Sequence, residues 1–88
     1  MSWLSRRREQ RAERAAAAIW AAYRAAVEAN DQSAYDVAMK AAEAWVRKHH
    51  PDAVEFSLDR LVDGKPGITI HTRHNDLDWL VWTPNEAG

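Results

Sequence analysis

A chain of 88 residues with no cysteine and a formal net charge of -1 buries one modest core. That excludes a large enclosed ligand pocket, a disulfide framework and a cysteine-based zinc site. The opening MSWLSRRREQ lacks an apolar run of signal-peptide length, and no stretch approaches the roughly 18 consecutive apolar residues of a membrane span. One soluble cytoplasmic domain over residues 1–88 is therefore expected. Alanine and arginine are abundant and lysine is scarce, a composition that fits a GC-rich genome of actinobacterial type or one of its phages.

The small net charge conceals a gradient. Residues 1–24 hold six arginines against two glutamates, a local +4; residues 25–50 come to -1; residues 51–88 hold three basic and seven acidic residues, a local -4. Opposite ends of opposite sign can steer a charged partner or favour self-contact.

From about residue 4 to residue 29 there is neither Gly nor Pro, and Ala, Arg and Glu are strong helix formers, so a first helix is predicted there. At 100° per residue Ala12, Ala16, Ile19, Trp20, Tyr23 and Val27 share one side, the expected core stripe. The opposite side carries Ala18, Ala21, Ala22 and Ala25, continuous with Arg7, Arg11 and Arg14 and flanked by Arg6 and Arg8. Exposed helix faces ordinarily carry charge, so an all-alanine back face points to close approach by a partner. Alanine's helix propensity alone is the simpler account of the same residues. The three consecutive arginines at the helix start oppose the helix dipole, which a partner of negative charge would offset.

NDQS at residues 30–33 breaks the helix, and Ser33 with Asp36 resembles a capping box for a second helix over about 33–50. Tyr35, Ala38, Met39, Ala42, Trp45 and Val46 form its apolar face, and Asp36, Lys40, Glu43 and Arg47 its charged back. Pro51 ends it, with Arg47, Lys48, His49 and His50 suiting the negative end of the dipole.

Beyond Pro51 the period becomes two, predicting strands at about 53–62, 67–73 and 78–83, joined by DGKPG and HNDLD turns. Val54, Phe56 and Leu58, with Ile68 and Ile70, form the expected core face. The third strand, WLVW, is apolar on both faces: Trp79 with Val81, and Leu80 with Trp82. Since one face of such a sheet is normally polar, an outward Leu80 or Trp82 beside His71 and Arg73 is a second candidate contact site. The expected architecture is α+β: an N-terminal helical hairpin packed on a three-stranded antiparallel meander, αα-βββ.

Chemistry-bearing patterns are sparse. None of Ser2, Ser5, Ser33 and Ser57 sits in a nucleophile elbow. His49, His50, His71 and His74, with Asp59, Asp76 and Asp78, lack the spacing of a metal site or a defined acid and base pair, and DGKPG is not a phosphate loop. No catalytic residue, cofactor, metal or small-molecule substrate is expected.

The function expected is that of a small non-enzymatic interaction module, an accessory, adaptor or inhibitor protein of the kind phages and mobile elements encode. Its binding residues would be Arg7, Arg11, Arg14, Ala18, Ala21, Ala22 and Ala25, or His71, Arg73, Leu80 and Trp82, and its partner another protein or its own copy. The alternative is a nucleic-acid-binding regulator using Arg6, Arg7, Arg8, Arg11 and Arg14, against which stand a pI near 6.4 and the interrupting Glu9 and Glu13. Trp3 and Leu4 beside the arginines make too short an apolar stripe for firm membrane attachment.

Overall fold

The computed structural model describes residues 3–58, 67–73 and 78–84, with side chains from Gln10 onward and without that of Asp78. Two helices, α1 (Trp3–Ala29) and α2 (Gln32–His49), precede three strands, β1 (Ala53–Leu58), β2 (Ile68–Thr72) and β3 (Asp78–Trp82). The strands form one antiparallel sheet of order β1-β2-β3, so the fold is αα-βββ. The predicted extension of the first strand over 59–62, His74, Asp76 and most of both turns lie outside the described residues. The chain divides into two compact units, Met1–Trp45 and Val46–Gly88.

In the first unit a two-residue turn joins the helices. Asn30 adopts a left-handed φ of 54°, a conformation that Asn tolerates better than most residues. Its N–H donates to the Val27 carbonyl at 3.1 Å and the Asp31 N–H donates to the Ala26 carbonyl at 3.0 Å. These two bonds are the Schellman pattern, which satisfies carbonyls that the end of α1 would otherwise orphan. Asp31 then caps α2: its Oδ1 accepts from the Ala34 N–H at 3.1 Å, and its carbonyl accepts the first helical bond, from Tyr35, at 2.9 Å. The cap expected at Ser33 is thus displaced to Asp31, because a turn this short brings the second helix in at Gln32. Asp36 accepts instead from Gln32 Nε2, 2.9 Å away and one turn earlier.

The two helices are tied at both ends of their antiparallel run. Near the turn the Tyr23 and Tyr35 rings lie 5.7 Å apart, with Trp20 5.8 Å beyond Tyr23. Farther along, the Trp45 indole N–H donates to the Ala12 carbonyl at 3.0 Å. Small residues are buried along this seam, Ala16 and Ala26 on α1 and Ala38 and Ala42 on α2, and small side chains let helix backbones come close. The inner positions of α1, Ala12, Ala16, Ile19, Tyr23 and Ala26, are spaced four, three, four and three apart, the repeat of a coiled coil. That repeat explains a departure from expectation: Val27, placed in the core stripe by a 3.6-residue wheel, is 45% exposed, and Ala26 is buried in its place. A straight helix drifts about 20° per heptad from a 3.5-residue seam, enough over two heptads to exchange neighbours at the end of the stripe.

In the second unit the last turn of α2 is followed by a turn in which the Ala53 N–H donates to the His50 carbonyl at 3.0 Å, with Pro51 at its second position. Burial holds the His50 pKa below its ordinary value of 6.5, helped by repulsion from His49 and opposed by Asp52. In the sheet, Leu58, Ile68 and Ile70 are buried on one face, and Phe56 pairs with Ile70 on that same face. Each edge strand carries an irregularity. Between Ala53 and Glu55 one extra residue, Val54, enters β1, and it is 48% exposed instead of joining Phe56 in the core. Opposite Ile68 and Thr69 one extra residue, Val81, enters β3. A bulge shifts every later side chain to the other face.

Candidate functional site

The outer face of α1 is where the structure leaves most unpartnered surface among the predicted binding residues. Arg11, Arg14, Ala18, Ala21, Ala22 and Ala25 are all exposed. From Ala15 to Tyr23 the helix contains no charged residue, so a smooth strip of methyl groups and backbone extends for two and a half turns between Arg14 and Arg24. The side chains of Arg6, Arg7 and Arg8 lie outside the described residues. At the far end Arg24 and Glu28 form an i,i+4 pair at 3.9 Å, with Glu28 still 72% exposed. Such an exposed pair contributes only a few tenths of a kcal/mol, about 0.3–0.5 by the usual helix measurements.

Glu28 was not among the residues that the sequence singled out, and the spacing shows why it belongs. Arg11, Arg14, Ala18, Ala21, Ala25 and Glu28 follow one another at intervals of three, four, three, four and three. That is a second heptad stripe, on the side of α1 away from α2, basic at its N-terminal end, neutral in the middle and acidic at its C-terminal end. A count at 3.5 residues per turn would have found it; sorting by residue type did not.

The second candidate site is divided by the bulge in β3. Register places Leu80 opposite Thr69, on the face that also carries His71, whereas Trp82 is opposite Ile68 and Trp79 opposite Ile70, on the face of the buried isoleucines. Leu80 and Trp82, which strict alternation puts together, are therefore on opposite faces. Both are partly buried, His71 likewise, and Arg73 is exposed just beyond the end of β2. The most exposed aromatic of the strand is instead Trp79, at 51%. Leu80 and the Trp82 backbone pack close against Gly67, where a Cβ would run into the Trp82 carbonyl oxygen and stand 2.7 Å from Leu80 Cδ1.

The Leu80 face is a polar one in register. Glu55, His71 and Asp78 occupy one row across the three strands, and Ser57, Thr69 and Leu80 the next. Thr69 is only 1% exposed, and its Oγ1 has no hydrogen-bond partner among the described residues. Also among the described residues, no group of three His, Asp or Glu side chains is arranged to hold a metal ion, and no helix is long and apolar enough to cross a membrane. Ser33 and Ser57 lie on different elements, one in the first turn of α2 and one in β1.

These features define the molecule as an α+β protein of order αα-βββ whose first helix carries a long exposed face of alanine flanked by charge. No protein-family model matches the chain, and no curated protein or solved structure matches it either.

Proposed function

We propose that this protein is a non-enzymatic interaction module, an accessory, adaptor or inhibitor, that binds a protein partner through the alanine and arginine face of α1. The observation that carries the reading is the exposed strip from Arg11 to Ala25, in which Ala18, Ala21, Ala22 and Ala25 stand in solvent and no charged residue falls between Ala15 and Tyr23. Burying the alanines at its centre strips no ion of its water, so that part of the face avoids the cost that ordinarily opposes docking on a charged helix surface. Alanine also lets a partner helix come to the short end of the usual interaxial range of about 8–10 Å. Arg11 and Arg14 at one end of the strip select acidic groups on whatever docks and raise the rate of encounter.

The test is affinity capture by the tagged protein from lysate of its source organism, divided into nuclease-treated and untreated halves and compared with the Ala18→Glu and Ala21→Glu variants. Glutamate is a good helix former, so the variants keep α1 while placing charge on the strip. A protein captured in both halves by the wild type and lost by both variants is the expected result. Capture that both variants retain refutes the α1 face as the binding surface. Capture that disappears with nuclease, and with alanine at Arg6, Arg7, Arg8, Arg11 and Arg14, replaces the reading with nucleic-acid binding.

A further inference from the structure

We propose that the occupant of this face is a second copy of the same chain, docked antiparallel about a two-fold axis that passes between Ala18 and Ala21. The inference rests on the reading of the α1 face as a binding surface and adds the identity and geometry of its partner. Its basis is that the outer stripe is its own complement. When two such helices run antiparallel with Ala18 of one opposite Ala21 of the other, the same register sets Arg14 opposite Ala25 and Arg11 opposite Glu28. Every residue of the stripe is then matched, with the alanines at the centre and an opposite-charge pair at each end.

The alternatives are poorer. A parallel pair sets Arg11 on Arg11, Arg14 on Arg14 and Glu28 on Glu28, each a like-charge contact. Sliding the antiparallel register by one heptad in either direction parts Glu28 from Arg11, setting Glu28 level with Ala18 in one direction and beyond Arg11, level with residue 4, in the other. In the favoured register the first and fourth positions of one heptad face the fourth and first of the other, as antiparallel helix seams require, and two-fold symmetry makes the contact isologous and closed. The stripe from Arg11 to Glu28 covers about 26 Å of helix, at 1.5 Å per residue. All six of its residues are exposed. The intrachain Arg24 pair at 3.9 Å leaves Glu28 largely in solvent, and a carboxylate accommodates a second cation beside the first.

Charge reversal tests the geometry. In sedimentation velocity at low ionic strength and rising protein concentration, the wild-type chain is expected to form a dimer. Arg11→Glu and Glu28→Arg should each weaken it about tenfold or more, because every substitution occurs twice in the assembly and turns an attraction into a repulsion. The double variant R11E/E28R should regain most of the lost affinity, although it cannot restore the Arg24 pair within one chain. Circular dichroism on each variant confirms that the helices persist. A wild type that stays monomeric at the highest concentration, or a double variant that dimerises as weakly as the singles, overturns the proposal. The two readings fail separately: a monomeric wild type whose capture of a foreign protein is lost with Ala18→Glu and Ala21→Glu removes the self-pairing and leaves the binding face standing.

Discussion

Thr69 concentrates the residue-scale physics of the sheet. It is the second residue of the central strand, 1% exposed, with a hydroxyl that has no partner among the described residues. A buried hydroxyl without a hydrogen bond costs roughly 1–3 kcal/mol by mutational measure. Thr69→Val, which keeps the shape and removes the oxygen, should therefore raise stability by about 1 kcal/mol, read as a higher urea midpoint at unchanged slope. A loss of stability would mean that the hydroxyl does find a partner. His50 makes the residue-scale prediction for pH. Its folded pKa lies below the unfolded value of 6.5, chiefly through burial, so the unfolded chain takes up the proton first. The stability it contributes is complete above the unfolded value and is lost as pH falls through the folded one. His50→Gln should flatten that decline in a series of denaturation curves from neutral to acidic pH, and an unaltered slope would locate the acid sensitivity in other groups.

At the scale of elements the turn between the helices decides how they begin and end. Asp31, not Ser33, holds the N-terminal N–H groups of α2. Replacing a capping side chain by Ala ordinarily costs about 1 kcal/mol. Asp31→Ala should show that loss in thermal or urea unfolding while Ser33→Ala, an exposed substitution off the cap, stays within about 0.5 kcal/mol of wild type. The reverse ranking would restore the capping box predicted from sequence. At the other end of the hairpin, the Trp45 indole N–H bonds to Ala12 across the helix pair, and Trp45 itself is 8% exposed. Trp45→Phe retains most of the ring and loses the donor, so it should cost about 1–2 kcal/mol, against about 3–5 for Trp45→Ala. A negligible cost for Trp45→Phe beside a large one for Trp45→Ala would show that packing, not the hydrogen bond, accounts for Trp45. The helix and strand types were all legible in the sequence, because periods of 3.6 and 2 separate cleanly at Pro51. The bulges at Val54 and Val81 were not, since a bulge inserts one residue without altering composition, and only strand pairing reveals it.

Over the whole molecule the relevant quantity is the arrangement of charge, with a local +4 in residues 1–24 and a local -4 in residues 51–88. Two modes of self-association follow from such a gradient and differ in symmetry. Head-to-tail contact between the basic and acidic ends is heterologous and grows into open chains, whereas antiparallel pairing of α1 is isologous and stops at two copies. On the proposed geometry, multi-angle light scattering should plateau at twice the chain mass as concentration rises, and added salt should weaken the dimer by screening the Arg11 and Glu28 pairs. A mass that continues to climb would identify the head-to-tail mode instead. The candidate face was half visible beforehand: Arg11, Arg14 and the four alanines were picked out by residue type, and Glu28 emerged only when the heptad was counted along a helix already known to pack against α2.

Composition and periodicity by themselves determined two helices, three antiparallel strands and the order αα-βββ, because helix propensity and hydrophobic alternation are local properties of the chain. Tertiary structure alone decided which of several adjacent apolar residues went inside. Ala26 took the place of Val27 because the inner positions of α1 follow a 3.5-residue repeat along their contact with α2. Val54 was left exposed, and Leu80 was parted from Trp82, because pairing with the neighbouring strand admitted an extra residue at each edge. Burial depends on what an element packs against, and that partner is not written in the element's own sequence.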